Sequence, residues 1–90
     1  MRPESPLIVV PGHDNDADYM FVFWIGVDDK VWGPKIWRWV RAEKRGGWES
    51  IYAAGDGQVR FDSPLVVAYN GDVFDVFFVR TDGALIHFMR

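Results

Sequence analysis

No cysteine occurs in the sequence, which excludes a disulfide framework, thiolate metal sites and cysteine nucleophiles. Stability must come from packing or from assembly, and the redox compartment is left open. Long apolar runs are missing too: after Met1-Arg2-Pro3-Glu4-Ser5-Pro6 only Leu7, Ile8, Val9 and Val10 precede Pro11. That is too short for a signal-peptide core or a membrane span, so no export address is visible and no membrane insertion is expected. Nor is there a large excess of charge of one sign. With 10 basic and 13 acidic residues the formal net charge is -3, so no long-range field draws the chain to nucleic acid or to an anionic membrane. Lys35, Arg38, Arg41, Lys44 and Arg45 interleave with tryptophan in a way that suits nucleic acid, yet the acidic total argues against that partner.

Catalytic signatures are equally absent. The sequence has no Ser-His-Asp pattern, no phosphate-cradling glycine loop and no nucleotide fingerprint, and the chain is not expected to be an enzyme. Asp28-Asp29 supplies adjacent carboxylates, but glycoside hydrolysis needs two acids flanking a bond. Neighbouring acids at a strand end point apart and read as turn formers. Asp14, Asp16 and Asp18 have the alternation that opens a calcium loop. Tyr19 then stands where such a loop needs glycine and Ile25 where it needs glutamate, so a solvated acidic loop is expected. His13 has no partner in sequence for a zinc site, and no metal or cofactor is expected.

What the chain does have is aromatic residues. They make up 17% of 90 residues, including five Trp and seven Phe, within a hydrophobic fraction of 49%. This is a globular composition for one small domain. So many rings exceed what so small an interior can hide, and some should lie on a surface meant for a neighbouring repeat, another subunit or a ligand.

The chain also repeats itself. Ser5-Pro6-Leu7-Ile8-Val9-Val10 recurs 58 positions on as Ser63-Pro64-Leu65-Val66-Val67-Ala68. Phe21-Val22-Phe23-Trp24-Ile25-Gly26-Val27-Asp28 recurs 54 positions on as Asp75-Val76-Phe77-Phe78-Val79-Arg80-Thr81-Asp82. Repeats of this length belong to solenoids, propellers and arrays. The repeats span residues 5–62 and 63–90, the second stopping just after its third strand. Residues 7–10, 20–27, 51–54, 65–69 and 73–79 are rich in Val, Ile, Phe and Tyr and read as strands. Turn residues separate them at 12–16, 28–29, 46–47, 55–57, 70–71 and 82–83. Asn70-Gly71 and Asp82-Gly83 suit type I′ hairpin turns, whose central positions need positive φ. Residues 35–45 are ambiguous. Pro34 can open a helix, but Trp37 and Trp39 share a face only at period two, which favours a strand to about Val40 and then a charged turn. Residues 21–25 are apolar on both faces, as in a sheet covered on both sides, and Trp24 is assigned to the core. The expected fold is all-β, with two antiparallel four-stranded blade-like repeats per chain.

From Gly46 the order is Gly-Gly-Trp, a Pro-led apolar strand, Asp75-Val76-Phe77, and Arg80-Thr81-Asp82-Gly83-Ala84-Leu85-Ile86-His87. The first copy follows the same order through Ser5-Pro6-Leu7, Phe21-Val22-Phe23-Trp24, Gly26-Val27-Asp28 and Val31-Trp32. This resembles the blade repeat of the PLL-type bacterial fucose-binding β-propeller lectins. It departs from that pattern at Arg80, Ile86, Asp29-Lys30 and the extra Gly33-Pro34. The resemblance implies a non-enzymatic lectin-like module that binds fucose-type glycans. A propeller needs about four to eight blades, so two per chain imply closure as a homo-oligomer of about three or four chains; the alternatives are a fragment of a longer propeller, or a blade completed by a neighbour's Leu7 to Val10 strand. Trp32, Trp37, Trp39 and Trp48 are then candidates for stacking on a pyranose ring, with blade-to-blade packing the alternative for each. Arg38 and Arg80 are candidate donors to sugar hydroxyls, and His87 takes the place of the family's structural or site-lining histidine. A structural or protein-interaction module without a sugar site is the other reading.

Overall fold

The computed structural model describes residues 1–49 and 58–90 and the backbone of 53–54. Eight strands run in chain order: β1 (Leu7–His13), β2 (Ala17–Ile25), β3 (Val31–Val40), β4 (Arg45–Trp48), β5 (Ala53–Ala54), β6 (Val66–Tyr69), β7 (Phe74–Val79) and β8 (Leu85–Met89). They form two antiparallel sheets, β1-β2-β3-β4 with β5 also on β3, and β6-β7-β8. β4 pairs with the second half of β3 and β5 with the first half in the same register, so both occupy the fourth strand position. The described residues hold no helix, and so none long and apolar enough to cross a membrane.

Alternation along β2 and β7 puts the core between the sheets. Phe21, Phe23 and Ile25 of β2 meet Phe74, Val76 and Phe78 of β7, with Val31, Val59 and Leu65 closing the cluster. Phe23 and Phe74 meet edge to face at 5.2 Å, the geometry favoured by the ring quadrupole. Only one face of each sheet is covered in this way. The Cα radius of gyration is 14.0 Å, with extents of 48 × 25 × 16 Å. A compact chain of this length would have about 12 Å, so the paired sheets form an elongated slab with two large outer faces.

The sequence repeat is a structural repeat, because the same hydrogen bonds recur in both copies. The Ser5 hydroxyl accepts from Ile25 N at 2.7 Å and the Ser63 hydroxyl from Val79 N at 2.8 Å. Arg2 N donates to Ile25 O and Arg60 N to Val79 O at 3.0 and 2.9 Å. Gly26 N donates to Lys30 O and Arg80 N to Ala84 O at 2.9 and 2.8 Å. The Asp28 and Asp82 carboxylates accept from Lys30 N and Ala84 N at 3.2 and 3.0 Å. Ser63 is buried, so Ser63→Ala strands the Val79 N–H with no water to replace the hydroxyl. The expected cost is about 1–3 kcal/mol, read by urea denaturation. Ser5→Ala should cost less, since Ser5 is only half-buried.

Several expectations are corrected. Gly46 and Gly47 lie within β4 and not in a turn, while the charged turn expected after Val40 is present at 41–44. Gly71 and Gly83 have positive φ of 99° and 88°, but Asn70 and Asp82 do not, so neither hairpin is type I′. Longer connections close them: the Asn70 side chain accepts from Asp72 N and Val73 N, both at 3.0 Å. In the β7–β8 hairpin Gly83 N donates to Arg80 O at 2.8 Å. Trp24 is not core: it lies half-buried on the outer face of the first sheet, where no second layer of the described residues covers it. Of the strand expected at 51–54 only 53–54 is described, and the turn expected at 55–57 lies outside the described residues.

Candidate functional site

Register gathers all five tryptophans on one face. Directly paired residues of an antiparallel sheet share a face, and the outer face of the first sheet carries Leu7↔Trp24↔Trp32, Pro11↔Met20↔Trp37↔Trp48 and His13↔Asp18↔Trp39 across its strands. Two groups separate within it. Trp24 and Trp32 lie near the β2–β3 turn, where the Trp32 indole donates to Asp28 at 3.0 Å. Toward the far end of β3, Trp37 meets Trp48 edge on at 5.3 Å. A shallow groove of about 210 Å³ runs between Trp37 and Trp39, with Asp18, Tyr19 and Met20 completing it.

This second group is open to a ligand. Trp39 is 39% exposed, Met20 43% and Trp48 54%. Gly46 makes room for it: a Cβ there would stand 2.6 Å from the Trp37 ring, so this glycine is kept in the strand by the close approach of the indole. Charged groups edge the shelf. Asp18 pairs with Arg41 at 2.7 Å, and the Lys35 ammonium stands 4.9 Å from the Trp48 ring centroid, a cation–π distance.

The other sequence candidates lie elsewhere. Arg38 points to the opposite face of β3 from Trp37 and Trp39. There its Nη1 is 3.9 Å from Glu49 in a second groove of about 230 Å³ with Val40, Arg45 and Gly47. Arg80 follows β7 and grips Asp82 through two hydrogen bonds of 3.0 and 2.6 Å. His87 lies on the outer face of the second sheet, 2.9 Å from Asp75 and stacked on Phe77 at 4.6 Å. Trp37, Trp39 and Trp48 thus come together, Trp32 shares their face at a distance, and Arg38, Arg80 and His87 do not join them. Sequence reasoning missed Met20, Lys35 and the Asp18–Arg41 pair as parts of the shelf. Met20 was legible only through cross-strand register, whereas Lys35 shares the face of Trp37 and Trp39 at period two.

Of the acidic residues weighed for calcium and for hydrolysis, Asp14 and Asp28 staple turns, while Asp18 pairs with Arg41 and Asp29 with Arg2. Asp14 accepts from the Tyr19 hydroxyl at 2.7 Å, and from Asp16 N and Ala17 N at 2.7 and 2.8 Å. These bonds, Tyr19 first, hold its carboxyl down at about 2. The Asp82 carboxyl is likewise lowered to about 2, by Arg80 first and then by Ala84 N, and the Asp28 carboxyl is lowered chiefly by the Trp32 indole. Among the described residues no group of three His, Cys, Asp or Glu can hold a metal ion. Carboxyls depressed in the folded state add stability above their unfolded value of about 3.9, and that contribution is lost as pH falls toward 2. The melting temperature should therefore drop between about pH 4 and pH 2, with a shallower drop in Asp14→Asn and Asp82→Asn, as followed by circular dichroism.

No family model, curated protein or solved structure matches the chain.

Proposed function

We propose that this protein is a carbohydrate-binding, lectin-like blade module without catalytic activity, made multivalent by self-assembly. The observation that carries this reading is the exposed Trp37–Trp39–Trp48 shelf with Met20, edged by the Asp18–Arg41 pair and Lys35. A pyranose offers an apolar C–H face to such rings and hydroxyls to charged groups around them. A groove of about 210 Å³ is smaller than the roughly 300–1,000 Å³ of drug-sized sites and suits one or two sugar units. So shallow a site binds weakly by itself, and repetition around an assembly makes it strong through avidity. Fucose-type glycans are the ligands that the resemblance to PLL-type lectins implies.

Trp39→Ala tests this. Trp39 lies outside the core, so the fold should survive while glycan affinity falls about tenfold or more, equivalent to roughly 1.4 kcal/mol, in calorimetry with ligands chosen from a glycan array. A folded wild-type assembly that binds no glycan on the array would remove the reading. A second reading, a structural or protein-interaction module, draws on Trp24. Its counterpart in the second copy is Phe78, fully packed between the sheets. On that reading Trp37→Ala, Trp39→Ala or Trp48→Ala costs assembly and no ligand.

A further inference from the structure

The recurring hydrogen bonds define which residues of the two copies are equivalent, and equivalent residues occupy opposite situations. Leu65 is 4% exposed and its counterpart Leu7 60%; Phe74 is 7% exposed and Met20 43%. In the other direction Val31 is 1% exposed and its counterpart Leu85 73%, while Phe23 is fully buried and Phe77 is not. The face that the first sheet buries, carrying Phe23, Ile25 and Val31, corresponds to the outer face of the second sheet. The face that the second sheet buries, carrying Leu65, Val76 and Phe78, corresponds to the outer face of the first. The sheets are therefore related head to tail and not by a two-fold axis, and the two outer faces are the same complementary pair that already forms the core.

From this we infer that copies of the chain associate head to tail, the outer face of one copy's second sheet seating on the outer face of the next copy's first sheet, and that the stack closes into a ring. The occupant of each apolar face is a second copy, because the interface inside the chain is the pattern for the interface between chains. A heterologous contact of this kind gives a ring when its rotation closes and a filament when it does not. Closure covers Leu7, Met20, Val22 and Trp24, the equivalents of Leu65, Phe74, Val76 and Phe78, and leaves open the Asp18–Trp39 row, whose equivalent Asp72 stays exposed in the second copy. This deepens the self-assembly in the proposed function and rests on that part alone, since it needs no glycan.

A polar contact follows the same operator. The Arg2 guanidinium, whose side chain is 10% exposed, crosses the internal boundary. It donates to Val59 O and Arg60 O at 3.0 Å each, as well as to Asp29 at 3.1 Å. Arg60 is its counterpart, and within a single chain it turns back onto Asp62 at 2.5 Å. In the ring Arg60 reaches forward to the backbone carbonyl of Arg2 of the next copy.

The test is the solution mass of the full chain by light scattering, with one exposed leucine on each face replaced. Leu7 and Leu85 are open to solvent, so a charge there leaves the single chain folded. Wild type should run as one species of about three or four chains, and Leu7→Glu and Leu85→Glu should each run at the 10.4 kDa of one chain. Mixing the two variants should give a complex of two chains, since each keeps the face that the other has lost. A wild-type monomer, an open-ended distribution of sizes, or an assembly indifferent to Leu85→Glu, as a two-fold pairing of first sheets would be, overturns the inference. Arg60→Ala is a second probe outside the apolar faces and should weaken assembly roughly tenfold or more; unchanged assembly contradicts the forward contact. Trp39→Ala should leave every mass unchanged, so a failure of the glycan reading is distinguishable from a failure of the ring.

Discussion

Phe23→Ala should cost about 3–5 kcal/mol and leave much of the protein unfolded at 25 °C, because small domains have little stability to lose. Phe23 is fully buried at the middle of β2, paired with Ile8 of β1 and packed edge to face on Phe74 of the opposite sheet. Its removal opens a cavity where both sheets meet, and strands held on either side by hydrogen bonds cannot collapse into it. The repeat supplies the control. Phe77 is the same residue in the second copy but faces outward. In chains kept apart by Leu7→Glu, Phe77→Ala should cost only about 1 kcal/mol, since little area is then lost from the interior. Urea denaturation of both variants in that background measures the difference. Equal costs would mean that the two sheets are not packed as described.

Gly33→Ala carries the second large effect. Gly33 lies in β3 with φ of 134°, a conformation that side chains rarely adopt. A Cβ there would stand 2.7 Å from both the Phe23 ring and the Val22 carbonyl oxygen. The register between β2 and β3 shifts at this point, between Val22 and Trp24. The first copy thus accommodates its extra residue by a bulge that turns glycine inward under Phe23. Backbone strain and overpacking together should cost roughly 2–4 kcal/mol, read as a fall in the urea midpoint with unchanged slope. Gly47→Ala, where nothing lies within 4 Å of the added carbon, should be near neutral and serves as the comparison.

Strands β1, β2, β6 and β7 were legible because Ser-Pro-Leu and the apolar run after it recur in the sequence, and the hydroxyl of each of the two serines makes the same bond. Which face of each strand lies inside was not. Residues 21–25 are apolar on both faces, so periodicity alone makes Trp24 and Phe23 equally buried. Only the partner sheet decides between them, and it covers Phe23. Gly46-Gly47 looked like a turn because paired glycines usually break strands, whereas here an indole from the neighbouring strand needs the space. Arg38 was grouped with Trp37 and Trp39, although adjacent residues of a strand point to opposite faces. The shelf itself depends on long-range register between β2, β3 and β4, which no local pattern encodes. The acidic alternation at Asp14, Asp16 and Asp18 resolves into an Asx turn and an ion pair to Arg41, because the backbone amides of the turn take the Asp14 oxygens that a cation would need.

Native mass spectrometry of the full chain with a fucose-type oligosaccharide counts chains and bound ligands in one spectrum. One closed assembly at about three or four times 10.4 kDa is expected, loading up to one ligand per chain, with Trp39→Ala giving the same assembly and no ligand. A 10.4 kDa chain that stays single and takes up no sugar would contradict this expectation.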